Sequence, residues 1–180
     1  MHGDVVTALN RQIVIELDSS YLYLQMAEWF DKRELRGFGA CLRQRAHEEV
    51  EHALVLFDHL LRNGAKVSLG RVDDRRHRFM SVREVMGKLL LRGKFIASGI
   101  NLLLDLSQNA EDDETRLLVA WFAAMQLQEE AYVVDLLGRV NACKAEDGGE
   151  LRELDAELAE RAFPESLVVK NRARGGIRAG

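Results

Sequence analysis

The sequence predicts an all-α chain: a four-helix bundle with one long crossover loop and a short fifth helix at its C-terminal end. Three observations carry this. The only proline, Pro164, lies near the C-terminus, and interior proline breaks helices, so nothing before it interrupts one. Four long stretches repeat apolar residues at spacings of three and four. Between Gly64 and Met80 lies a polar, charged segment of about 16 residues, which can reach about 50 Å when extended. A helix of about 27 residues is only about 40 Å long. The segment can therefore run the length of a bundle, as one long crossover requires.

The elements follow in order. The first helix is expected from about Asp4 to Lys32, with Leu9, Ile13, Ser20 and Tyr23 on one face. The second runs from about Phe38 to Arg62, through Phe38, Leu42, Leu56 and Leu60. Gly37 separates the two, and Asn63-Gly64 reads as a C-cap. The third starts at Ser81, an N-cap with Glu84 three residues on, and runs through Met86, Leu89, Ile100 and Leu103 to about Asn109. Asp112 or Asp113 caps the fourth, which extends to about Asn141 through Val119, Phe122, Val133, Leu136 and Val140. Beyond Gly148-Gly149, Leu151, Leu154 and Leu158 mark the fifth. It is too short to stand alone, so it must dock on the bundle or on a neighbouring subunit. Residues 1–163 thus form one domain, and 164–180 a basic, flexible tail that either frays or addresses a partner.

A net charge of −4 gives no basic stripe for nucleic acid or an anionic membrane. The longest apolar run, Leu117 to Met125, is too short to span a bilayer. The opening MHGDVVTALN lacks the charged and apolar regions of a signal peptide, so a cytoplasmic location is expected. Cys41 and Cys143 are too few and too far apart for a disulfide framework or a zinc site.

Charge in a bundle core is costly unless it is paired or bound to metal. The inward stripe of the second helix nevertheless reads Phe38, Leu42, Arg45, Glu49, His52, Leu56, Leu60. Glu16 faces inward on the first helix between Ile13 and Tyr23, and Gln126-x-x-Glu129 lies between Phe122 and Val133 on the fourth. Three helices thus aim metal-ligand side chains at one level. The interval from Glu16 to Glu49 equals that from position 93 to Gln126. The interval from Glu16 to position 93 likewise equals that from His52 to Glu129. The chain reads as two related hairpins, each with a lone ligand followed by a pair at i, i+3, the plan of di-iron carboxylate bundles.

The stretches NRQIVIELDSSYLYLQMAEWF, LRQRAHEEVEHALVLFDHL and AWFAAMQLQEEA resemble the first, second and fourth helices of non-haem bacterial ferritins. The resemblance implies iron storage: Fe(II) is oxidised by O2 or H2O2 at a centre inside the bundle, and the Fe(III) is deposited as mineral in a hollow shell of 24 subunits. It implies that Glu16, Glu49 and His52 hold one iron, with Glu49 bridging to a second. Glu129 and Gln126 would serve that second position, and Tyr23 would be a redox-active or hydrogen-bonding phenol. Glu48, with Glu129, is what remains of a third, inner-surface site, because Met125 and Gln128 stand where that site has carboxylates. Val50 replaces the methionine of haem-carrying relatives, so no haem is expected.

One departure bears on the chemistry. The family has a glutamate at position 93, and this chain has Gly93 between Arg92 and Lys94, so the second iron position is expected to be impaired. A catalytically poor, nucleating cage subunit is therefore the competing reading. A di-iron redox enzyme of the same bundle class would want a second Glu-x-x-His, which here is Gln126-x-x-Glu129. Arg45, one turn before Glu49, is expected to be an ion-pair partner or instead to discourage cations, and His2, His47, His59 and His77 to be surface or capping residues.

Overall fold

The computed structural model describes residues 1–72, 76–145 and 148–162, with residues 161 and 162 described by backbone alone. Five helices account for these residues: α1 Gly3–Asp31, α2 Arg36–Arg62, α3 Val82–Asn109, α4 Asp113–Ala142 and α5 Gly149–Ala162. The expected limits agree to within a turn. The tail 164–180 and its boundary at 163 lie outside the described residues. Among those described, no helix is long and apolar enough to cross a membrane.

Local chemistry explains most of the boundaries. The Ser81 hydroxyl accepts from the Glu84 amide at 3.1 Å, and the Glu84 carboxylate accepts from the Met80 amide at 2.8 Å, a capping-box arrangement displaced by one residue. Asp112, not Asp113, caps α4 by accepting from the Thr115 amide at 3.1 Å. At the end of α2, Gly64 takes φ 64° and the Ala65 amide bonds to the Leu60 carbonyl at 2.9 Å, closing the helix as the Asn-Gly pair predicts.

Gly37 is not the break between α1 and α2. It lies inside the first turn of α2, and Glu34, at φ 60°, turns the chain instead. The glycine answers to α5: a Cβ at position 37 would stand 1.8 Å from the Asp155 carbonyl oxygen. The short helix docks on its own bundle. Leu151, Leu154 and Leu158 are buried there, each contributing about 1.5–3 kcal/mol. Asp155 accepts from the Phe38 amide at 2.9 Å, and Arg139 pairs with Glu157.

The described ends of the crossover lie against α1, as its length allows. Near one end Asn10 holds it through the Lys66 carbonyl at 3.0 Å and the Ser68 amide at 2.6 Å. Near the other, the His77 amide donates to Gln25 at 2.9 Å and the Trp29 indole donates to the Phe79 carbonyl at 2.8 Å. The interval from Asn10 to Trp29 corresponds to about 28 Å of helix.

The core is divided. One apolar cluster gathers around Tyr23, Phe30, Phe38, Leu89 and Val133. The other gathers around Leu9, Ile13, Leu56, Ile96 and Phe122. On each long helix the gap between the two falls at the same depth, and polar residues fill it: Glu16 and Ser19, Glu49 and His52, Arg92, and Gln126 and Glu129. The fold thus sets a charged layer between two greasy ones.

His59 departs from the expected surface role. It is only 1% exposed, and its Nε2 lies 2.8 Å from the Thr115 hydroxyl, joining the end of α2 to the start of α4. His2 does cap α1, while His47 and His77 are exposed. Burial pushes the His59 imidazole below its usual pKa of 6.5, against a smaller opposing pull from Glu114. The fold therefore prefers neutral His59. Its contribution is complete above pH 6.5 and is lost as the pH falls through the lowered folded value. Urea unfolding at pH 7 and pH 5.5 should show a larger loss of stability for the native chain than for His59→Gln.

Candidate metal centre

Glu16 sits mid-way along α1 with no exposed surface, and no donor reaches its Oε2. Its Oε1 accepts from the Gln12 amide at 2.7 Å. Gln12 is itself buried, one turn earlier on the same face. Space for it comes from α3, since a Cβ on Gly99 would stand 2.1 Å from the Gln12 Oε1. Neither residue was singled out from sequence. The available signal was an amide four residues before an inward acid, a spacing that brings side chains together on a helix.

Glu49 and His52 project from consecutive turns of α2. Glu49 is 2% exposed, and its Oε2 lies 3.0 Å from the His52 Nδ1. The edge of the His52 ring packs against Phe122, with centroids 5.4 Å apart and planes at 83°. One ligand atom from each of Glu16, Glu49 and His52 lies within 4.8 Å of the others, close enough for the three to share one metal ion. Two carboxylates and an imidazole suit a hard-to-borderline divalent ion such as Fe(II).

The electrostatics are those of a site short of positive charge. Burial pushes the Glu16 carboxyl well above its usual range, and the neighbouring Glu49 adds to the shift. Burial alone would lower the His52 imidazole, but its hydrogen bond to Glu49 and that carboxylate's charge reverse the direction and raise it. Burial, then the Glu49 charge, keeps the Tyr23 phenol protonated far beyond its ordinary value.

The α4 candidates lie beside this cluster and outside it. Glu129 is half-buried and its carboxyl is raised, first by burial and then by Glu49. Its Oε2 stands 3.6 Å from Nη1 of Arg45, whose guanidinium also lies over the Tyr132 ring. Arg45 thus has an ion-pair partner, and the partner comes from α4. The Gln126 amide donates to the Gly93 carbonyl at 3.3 Å. Tyr23, Arg45, Gly93, Gln126, Glu129 and Glu130 border one cavity of about 10 Å³, about room for a single water.

The residues flanking Gly93 diverge. Arg92 reaches across to α1, donating to the Ser19 hydroxyl at 2.6 Å and the Ile15 carbonyl at 2.8 Å, and pairing with Asp18 at 2.8 Å. Lys94 points into solvent. Glu48 is half-buried and accepts from Gln44 at 2.9 Å, apart from the three-ligand cluster.

An all-helical bundle carrying a carboxylate–imidazole cluster between its two core halves defines the class: a helical-bundle carboxylate protein. Comparison with known proteins narrows it. The model of the ferritin-like domain matches residues 6–143. A probable bacterial non-haem ferritin-like protein of Haemophilus influenzae is 31% identical over 155 residues, covering 86% of this chain and 93% of that protein. The bacterial non-haem ferritin of Campylobacter jejuni is 31% identical over 76% of this chain and 82% of its own. An open-pore ferritin of the archaeon Archaeoglobus fulgidus superposes with a TM-score of 0.84 at 31% identity, covering 88% of this chain and 96% of that one. The chain therefore belongs to the ferritin family.

The apo centre carries a cost that rises with pH. Because the folded pKa of Glu16 lies above its ordinary 4.5, the metal-free fold loses stability as the pH climbs past that value and the acid ionises in place. Glu16→Gln should therefore raise the melting temperature of the metal-free protein at pH 7. It should also abolish most of the increase that a divalent ion gives the native chain. Calorimetry with and without Zn(II) checks both.

Proposed function

We propose that this chain is an iron-storage subunit that takes up Fe(II) at Glu16, Glu49 and His52, passes its electron to an oxidant and releases Fe(III) into a hollow shell of 24 like subunits. The observation that carries the reading is the burial of Glu16 and Glu49 beside His52, with ligand atoms within 4.8 Å of one another. Two ionised carboxylates and a neutral imidazole balance one divalent ion, which makes their shared burial tolerable.

Each Fe(II) gives up one electron. Two such electrons and two protons convert O2 to H2O2, and H2O2 can itself serve as the oxidant. Tyr23 offers an O–H at the rim of the centre and not a phenolate, so its role is to donate a hydrogen bond to a bound oxygen species. Glu129 and Gln126 form a second position that lacks the carboxylate which Gly93 fails to supply, and Glu48 an outer station on the way to the mineral. No haem is needed for this chemistry, and a cytoplasmic setting suits it.

A second reading has an observation of its own. Arg45 stands against Glu129, so the second position meets a cation before any iron arrives, as suits a cage subunit that nucleates mineral and oxidises little. Aerobic Fe(II) oxidation by the purified protein, followed by ferric absorbance, separates the two. Oxidation should exceed the protein-free background several-fold, and His52→Ala should return it to background. A native rate equal to background favours the nucleating subunit.

A further inference from the structure

We propose that Arg45 is a tethered counter-cation that takes the electrostatic place of a second metal ion, so that the centre binds one divalent ion per chain and the substitution Gly93→Glu alone would not restore a second. The inference rests on the reading that Glu16, Glu49 and His52 are the metal ligands, and it concerns what limits their number of ions.

In the plan from which this chain departs, carboxylates at positions 16, 49, 93 and 129 carry four negative charges, which match two divalent ions. Here Glu16, Glu49 and Glu129 carry three, and Arg45 returns one, leaving a deficit that a single divalent ion fills. Arginine cannot release its proton to make way for a metal. The Arg45 side chain is only 12% exposed and its Nη1 lies 3.6 Å from Glu129 Oε2, so its charge is weakly screened. A second divalent ion would have to settle beside a fixed positive charge.

Geometry agrees with charge. Both α4 groups that could serve a second ion are already engaged by the protein. Glu129 faces the guanidinium, and the Gln126 amide donates its proton to the Gly93 carbonyl at 3.3 Å. The cavity between them is about 10 Å³, the space of a single water. Arg45 and Gly93 border that cavity together with Glu130. A Cβ at position 93 would meet only the Gln126 Nε2, at 3.4 Å, which is ordinary contact. A side chain at 93 would therefore begin without a clash, and a carboxylate there would meet a cavity that a guanidinium already borders. The missing acid and the resident cation are thus two separate obstacles, and both must be removed.

The test counts ions inside the bundle of the assembled full-length protein, by anomalous scattering at the cobalt edge from crystals soaked in Co(II). The native chain, Arg45→Gln and Gly93→Glu should each show one peak, beside Glu16, Glu49 and His52. The double variant Arg45→Gln/Gly93→Glu should show two, and Arg45→Lys/Gly93→Glu, which keeps the charge, should return to one. Two peaks in Gly93→Glu alone would overturn the proposal, because the arginine would then be no obstacle. Two in the native chain would overturn it as well, with Glu130 as the acid supplying the missing ligand. A single peak in Arg45→Gln/Gly93→Glu, or two in Arg45→Lys/Gly93→Glu, would show that the charge of Arg45 does not set the count. No peak at all in the native chain would instead refute the ligand assignment on which the inference rests. Solution titration of the same variants with Co(II), read by d–d absorption, gives the same count should the double variant fail to crystallise.

Discussion

Two carboxyl groups are held side by side where water cannot reach them, and the rest of the molecule is arranged around that constraint. Glu16 and Glu49 are almost wholly buried, and the charge of Glu49 adds to the cost of ionising Glu16. Such a pair persists only if it is offset by a bound cation or by protons. Its presence explains why the core is split: the apolar clusters above and below can pack to full density, but the layer between them has to remain polar on all four long helices. Buried leucines and phenylalanines stabilise the bundle strongly enough to carry this layer, since each contributes more than about 1.5 kcal/mol. The layer is a fault in an otherwise continuous core.

That fault is held in position by groups that bind nothing themselves. Gln12 fixes one oxygen of Glu16 and leaves the other without a donor, facing the cluster. Gly99 on α3 yields the space Gln12 occupies. Arg92 bolts α3 to α1 through Asp18, Ser19 and the Ile15 carbonyl, within a turn of Glu16. Phe122 bears on the edge of the His52 ring. Rigid elements and outer hydrogen bonds of this kind hold the three side chains in place, and such preorganisation lowers the entropy lost whenever a site binds an ion.

The features legible in the sequence were those with a period. Helix extents and the depth shared by Glu16, Glu49 and His52 follow from spacings of three and four, and the crossover follows from the length of one polar segment; the helices run within a turn of the expected limits. What escaped detection depends on contacts between distant segments, for which a single sequence has no period. Gly37 looked like a helix breaker because its packing partner, the backbone at Asp155, lies in another helix far along the chain. His59 looked like a surface residue because its partner, Thr115, begins α4. Gln12 lay in plain view, but only the placement of Gly99 shows that it is turned inward. Arg45 was read as an ion-pair partner, yet which acid it would meet depended on the rotation of α4 about its axis.

The two hairpins are related in plan and unequal in chemistry. The first retains its acids and its imidazole, and their arrangement leaves ligand atoms unsatisfied. In the second, each corresponding position has been closed by the protein itself: a backbone carbonyl at Gly93 takes up Gln126, and a guanidinium from the first hairpin takes up Glu129. Mid-helix glycine costs about 1 kcal/mol relative to alanine, so Gly93 is not explained by helix stability. A glutamate there would have set a second carboxylate, besides Glu129, against the single charge of Arg45. Removing that carboxylate while keeping Arg45 leaves the second half of the layer close to neutral without any ion. The first half alone then has a charge deficit to fill, and the asymmetry of the centre follows from that difference.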